Sequence, residues 1–62
     1  LKEGSLVVVI AALDKRIREK QTQGLVKGTL YQLSGDHVIV ILEDMDLYIG
    51  IKRDIRDLGE QE

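Results

Sequence analysis

The stretch Gly24-Leu-Val-Lys-Gly-Thr-Leu-Tyr-Gln-Leu33, followed by Ser34-Gly35-Asp36 and His37-Val-Ile-Val-Ile-Leu42, decides the fold. From Val26 onward it alternates. Val26, Gly28, Leu30 and Gln32 fall on one face, and Leu25, Lys27, Thr29, Tyr31 and Leu33 fall on the other, the period of a β-strand. Gly28 inside that strand marks a sharp bend or a close backbone approach. Ser34-Gly35-Asp36 reads as a tight turn, and His37–Leu42 as a β-branched strand that is apolar on both faces.

Toward the C-terminus, Glu43-Asp44-Met45-Asp46 is an acidic turn and Leu47–Ile51 a fourth strand with Gly50 inside it. Lys52-Arg53-Asp54 is a short charged turn, Ile55–Leu58 a short fifth strand, and Gly59 to Glu62 a tail. Toward the N-terminus, Ser5–Leu13 follows Gly4 and is β-branched in its first half, which favours a strand, although Ala11, Ala12 and Leu13 also suit a helix. In the segment Asp14 to Gly24 the one apolar side chain is Ile17. It reads as a polar hairpin connection or as strand ends projecting into solvent. A single helical turn fits its composition, but no apolar stripe supports one. Five short strands joined by tight turns, with glycines at 28 and 50 for curvature, predict an all-β fold. The expected form is a small, five-stranded, strongly bent antiparallel barrel, Sm-like or SH3-like, filling residues 1–62 as one domain.

With 62 residues, the chain buries only about 60% of its unfolded surface, near the lower limit for independent folding. Without cysteine it has neither disulfides nor thiolate metal ligands, and a single histidine, His37, rules out a multi-histidine centre. A net charge of −2, with Tyr31 and Tyr48 as its aromatic residues, argues against a generally basic nucleic-acid binder with a stacking platform. The apolar run Leu6–Leu13 is far short of the roughly 20 residues of a spanning helix. Leu1 rather than Met opens the chain, which reads as a trimmed end. No secretory signal is recognisable, and a cytoplasmic location is expected. Ser5 and Ser34, the chain's serines, have no credible histidine–acid pair, and there is no phosphate-cradling loop, so no catalysis and no cofactor is expected.

Val26-Lys27-Gly28-Thr29-Leu30, then Leu33, Asp36 and the apolar run Val38 to Leu42, resembles the first motif of the Sm family. Ile51-Lys52-Arg53-Asp54-Ile55 resembles the second, in the form found in bacterial Hfq proteins. Ser34-Gly35 lengthens the turn before Asp36, the Asn of the first motif is absent, and Arg53-Asp54 stands where an Arg-Gly is common. The family's usual N-terminal helix is not visible. The resemblance implies a five-stranded bent sheet and a ring in which the fourth strand of one subunit pairs with the fifth of the next. It also implies single-stranded RNA bound near the pore through the turns Ser34 to His37 and Lys52 to Asp54.

The residues point to self-assembly independently. Leu6–Leu13, Val38–Leu42 and Leu47–Ile51 are apolar on both faces, and apolar surface costs about 25 cal/mol per Å² to leave wet. Unpaired strand edges add to the pressure, and closed symmetry limits it. A cyclic homo-oligomer is therefore expected, with Leu47, Tyr48, Ile49, Ile51, Ile55 and Leu58 at its interface. In such a ring, Lys52 and Arg53 gather into a positive collar for phosphates. His37 reads a base, and Asp36 orients its imidazole.

Each feature has a plainer reading. Lys52 and Arg53 pair with Asp54 or Asp57, Asp36 closes an Asx-turn, and His37 starts a strand. Lys15-Arg16-Ile17-Arg18-Glu19-Lys20 is either a second phosphate patch or a solubilising tip. Glu43, Asp44 and Asp46 are either a divalent-cation site or, more simply, a solvated turn that keeps negative charge away from the basic turns. Tyr31 and Tyr48 are packing or interface residues with wet hydroxyls. The expected function is a ring that binds single-stranded RNA, or DNA, in RNA processing or regulation, with no membrane partner. The alternative is an SH3-like module that self-assembles or engages another protein without nucleic acid.

Overall fold

The computed structural model describes residues 1–58. Strands β1 (Leu6–Val9), β2 (Val26–Ser34), β3 (His37–Leu42), β4 (Leu47–Ile51) and β5 (Ile55–Asp57) form one antiparallel sheet in the order β4-β3-β2-β1-β5. A 3₁₀ turn, Lys52–Asp54, joins β4 to β5, and a short helix, α1 (Lys15–Gln21), lies between β1 and β2. The chain is thus mostly β, as its sequence implies. The sheet does not close into a barrel: among the described residues β4 and β5 are its two edges and do not pair with each other. The expected tail Gly59 to Glu62 lies outside the described residues.

One face of the sheet carries the core. Val7 and Val9, Val26 and Leu30, Val38, Val40 and Leu42, Tyr48 and Ile55 are buried there, and Ile17 of α1 joins them with no exposed surface. Gly28 sits where a methyl group would overlap the backbone of Ile41 and Leu42, so β2 and β3 approach closely at that point. At Gly50 a methyl would overlap the Tyr48 ring, which folds back over this glycine. Among the described residues, no helix is long and apolar enough to cross a membrane.

Three local expectations are corrected. Strand β1 covers Leu6–Val9, not Ser5–Leu13. Beyond Val9 the chain leaves the sheet, Ile10 and Ala11 donate their N–H groups to the Asp54 carbonyl at 2.8 and 3.3 Å, and Leu13 is 94% exposed. Second, the polar segment after Asp14 is a helix. The Asp14 carboxylate accepts the Arg16 N–H at 2.8 Å as its N-cap, and the Thr22 hydroxyl donates to the Glu19 carbonyl at 2.7 Å at its other end. Two turns need no apolar stripe when one residue, Ile17, fills the core and polar contacts hold the rest. Third, the β2–β3 register shifts between Leu30↔Val40 and Gln32↔Ile39, leaving Tyr31 unpaired in a bulge. One extra residue reverses the strand's parity. Leu33 therefore packs against the core beside Val38, and Gln32 turns to the opposite face beside Ile39.

That opposite face is also apolar. Leu6, Thr29, Ile41 and Leu47 form one cross-strand row, and Gln32, Ile39 and Ile49 the next. Leu6 is 60% exposed, Leu47 46% and Ile49 71%, so the described chain covers them only in part.

Candidate nucleic-acid interface

Two turns that are distant in sequence lie side by side at one corner of the sheet. His37 opens β3 opposite Ile51, the last residue of β4, and the Lys52 N–H donates to the Asp36 carbonyl at 2.8 Å. Gly35 takes the positive φ (61°) that the β2–β3 turn requires. Asp36, His37, Lys52 and Arg53, separated by up to 17 positions (53 − 36), thus share one shallow hollow with Ile51. An adjoining hollow runs from Asp36, Lys52 and Arg53 past Ile55 to Arg56 and Asp57.

Of the carboxylates around these cations, that of Asp54 is engaged elsewhere, while Asp36 shares their hollow without an ion pair to either. Tyr48 donates its hydroxyl proton to Asp54 Oδ2 at 2.9 Å, and the Asp54 carbonyl accepts from Ile10 and Ala11, which pins the 3₁₀ turn to the end of β1. Burial, and then the Asp54 carboxylate, push the Tyr48 hydroxyl pKa up to about 12. Asp57 lies 3.9 Å from the N-terminal amine. Among the described residues, neither Lys52 nor Arg53 makes an ion pair, so the plainer pairing with Asp54 or Asp57 is not formed. No side-chain hydrogen bond closes an Asx-turn at Asp36 among these residues either, and its exposed carboxylate stands beside the exposed His37.

The basic helix behaves oppositely. Arg16 Nη1 donates to both oxygens of Asp46 at 2.7 Å, and Lys20 pairs with Asp44 and, at 3.3 Å, with Asp46. Hydrogen bonds to Asp46 and Asp44 hold the Arg16 and Lys20 pKa values above their ordinary ones. The Asp44 carboxyl is lowered, chiefly by Lys20, and the Asp46 carboxyl chiefly by the Leu47 N–H. The acidic turn therefore lies against the basic helix, at the end of the β3–β4 ladder opposite the Lys52–Arg53 turn. The Asp44 and Asp46 carboxylates serve cationic side chains, and no cluster of three or more acidic or histidine side chains able to hold a metal ion occurs among the described residues.

The expected interface residues divide. Leu47 and Ile49 are exposed on β4, and Ile51 and Leu58 are half-buried. Tyr48 and Ile55, each 4% exposed, are spent on the chain's own core. Tyr31, in the bulge, is 61% exposed, while the Tyr48 hydroxyl is satisfied internally rather than by water. Arg56 in the adjoining hollow is an addition; the alternation of Ile55 inward and Arg56 outward was the signal available for it. Comparison of the chain with protein-family models, with curated proteins and with solved structures finds no match.

Proposed function

We propose that this chain is a nucleic-acid-binding module of Sm-like, SH3-like bent-sheet architecture that assembles into a homo-oligomeric ring, acts in the cytoplasm, and binds single-stranded RNA in RNA processing or regulation. The observation that carries the proposal is the convergence of His37, Lys52 and Arg53 in one hollow whose two cations form no ion pair among the described residues. Unneutralised cations beside a planar side chain suit a phosphodiester backbone with an unstacked base. The strand order supports the ring, because β4 and β5 are opposite edges of one sheet and a β4-to-β5 contact between copies is heterologous and can close. The helix follows β1 instead of preceding it, a departure from the family pattern.

The test is equilibrium binding of fluorescent oligo-U and oligo-A to wild type and to Lys52→Glu/Arg53→Glu. The double variant is expected to keep its mass in solution and to lose most of its affinity; full affinity in the variant contradicts the proposal. The second reading is a self-assembling or protein-binding module without nucleic acid. The exposed apolar face with Leu6, Leu47 and Ile49 favours it. Stable assembly with no oligonucleotide binding at low salt selects it.

A further inference from the structure

The cross-strand register puts two more cations in one row. Val8 of β1 is the Cα partner of Lys27 on β2 and of Arg56 on β5. Directly paired residues share a face, so Lys27, Val8 and Arg56 point away from the core that Val7, Val9, Val26 and Ile55 fill. Val8 is only 8% exposed although it lies on the outer face. Such burial is expected where the aliphatic stems of a flanking Lys and Arg lie over a small apolar side chain and carry their charges to the surface. Neither Lys27 nor Arg56 makes an ion pair among the described residues, whereas Arg16 and Lys20 are both matched to carboxylates. Arg56 also lines the hollow that holds Lys52 and Arg53. The negative groups along this row are Asp36 and Asp57 at the Arg56 end, and Glu43 and Asp44, which share a hollow with Lys27 and of which Asp44 is paired with Lys20.

We propose that the phosphate-binding surface continues beyond the Lys52–Arg53 turn, through Arg56 and across β1 to Lys27, so that one strand of nucleic acid follows a four-cation path over the β5 edge. This rests on the function proposed above and adds the direction of the bound strand and two residues outside the turns Ser34 to His37 and Lys52 to Asp54. Lys27 and Arg56 act on the backbone, and they therefore contribute affinity without base preference.

The experiment compares the salt dependence of binding of a fluorescent single-stranded oligonucleotide, long and short, for wild type, Lys27→Gln, Arg56→Gln and Lys52→Gln. Removing one phosphate contact lowers the magnitude of the log–log slope by about 0.7. Lys27→Gln and Arg56→Gln are each expected to produce that change with the long oligonucleotide, to weaken it several-fold at low salt, and to leave a short oligonucleotide spanning only the turn unaffected. Unchanged slopes in both variants, with a reduced slope in Lys52→Gln, overturn the path and leave the turn site standing. No binding by wild type overturns both. Circular dichroism of each variant guards the comparison, and Lys27→Arg, which keeps charge and stem, is expected to restore the wild-type slope.

Discussion

The Tyr48 hydroxyl donates to Asp54 at 2.9 Å, and this bond links the core to the candidate ligand surface. It turns the one carboxylate within the Lys52–Asp54 turn inward and leaves Lys52 and Arg53 without a carboxylate partner among the described residues. Tyr48→Phe is expected to cost about 1.5 to 3 kcal/mol, the worth of a hydrogen bond to a charged group. It frees Asp54 to approach Lys52 and Arg53, so oligonucleotide binding should weaken as well. Asp54→Asn, which removes the competing charge, should bind oligonucleotide at least as tightly as wild type. Denaturant melts and titrations on both variants check this.

The same residue sets an alkaline limit. The Tyr48 pKa is near 12 in the folded chain against 10.0 for a free tyrosine, so the native state holds the proton more tightly. Its contribution is fully present below pH 10.0 and is lost as pH rises toward 12. Stability measured against pH should fall in this window in wild type and fall less in Tyr48→Phe.

Gly28 and Gly50 admit no side chain, for different reasons. At Gly28 the obstacle is the Ile41 and Leu42 backbone, which cannot give way, and Gly28→Ala is expected to cost about 3 kcal/mol or more. At Gly50 the obstacle is the Tyr48 ring, so Gly50→Ala should displace the ring and break its bond to Asp54. Gly50→Ala in a Tyr48→Phe background should then cost clearly less than the sum of the two single changes.

Helix α1 is held by one buried side chain and a surface clasp. Ile17→Ala should cost about 2 to 5 kcal/mol, because Ile17 is fully buried in the core. Asp46→Asn should lower the melting temperature far less, and that loss should shrink in high salt, since the pairs with Arg16 and Lys20 are exposed. The Asp44 and Asp46 carboxyls titrate below their ordinary 3.8 in the folded chain. Their stabilisation is present above that value and is lost as pH falls through the lowered folded values. Melting temperature against pH in wild type and Asp46→Asn checks the direction.

Much of this architecture is written in short-range patterns. The Val26–Leu30 alternation, the Ser34-Gly35-Asp36 turn and the acidic turn before Leu47 mark strands that the structure contains, and they suffice to bring His37 next to Lys52. What they leave out depends on contacts between distant residues. The bulge at Tyr31 appears only once β3 is in register, and it reverses Leu33 and Gln32. The helix around Ile17 draws on the core and on Asp44 and Asp46, 24 and more positions away. The sequence leaves Tyr48 as a packing or an interface residue, because nothing in its own strand reveals that Asp54 and Gly50 make a place for it. The sheet's openness at β4 and β5 is likewise a property of how strands close in space, which periodicity does not encode.

Assembly has its own test. Multi-angle light scattering on this 62-residue chain should give a multiple of 7.0 kDa, and Ile49→Glu, an exposed change on the β4 edge, should reduce the mass while leaving the fold intact. A single-chain mass for wild type across the micromolar range removes the ring.

The most direct measurement is an equilibrium titration of fluorescent oligo-U with the wild-type protein at a series of salt concentrations. Engagement of phosphates by Lys52 and Arg53 predicts saturable binding that tightens steeply as salt falls. No binding at the lowest salt, or binding indifferent to salt, contradicts it.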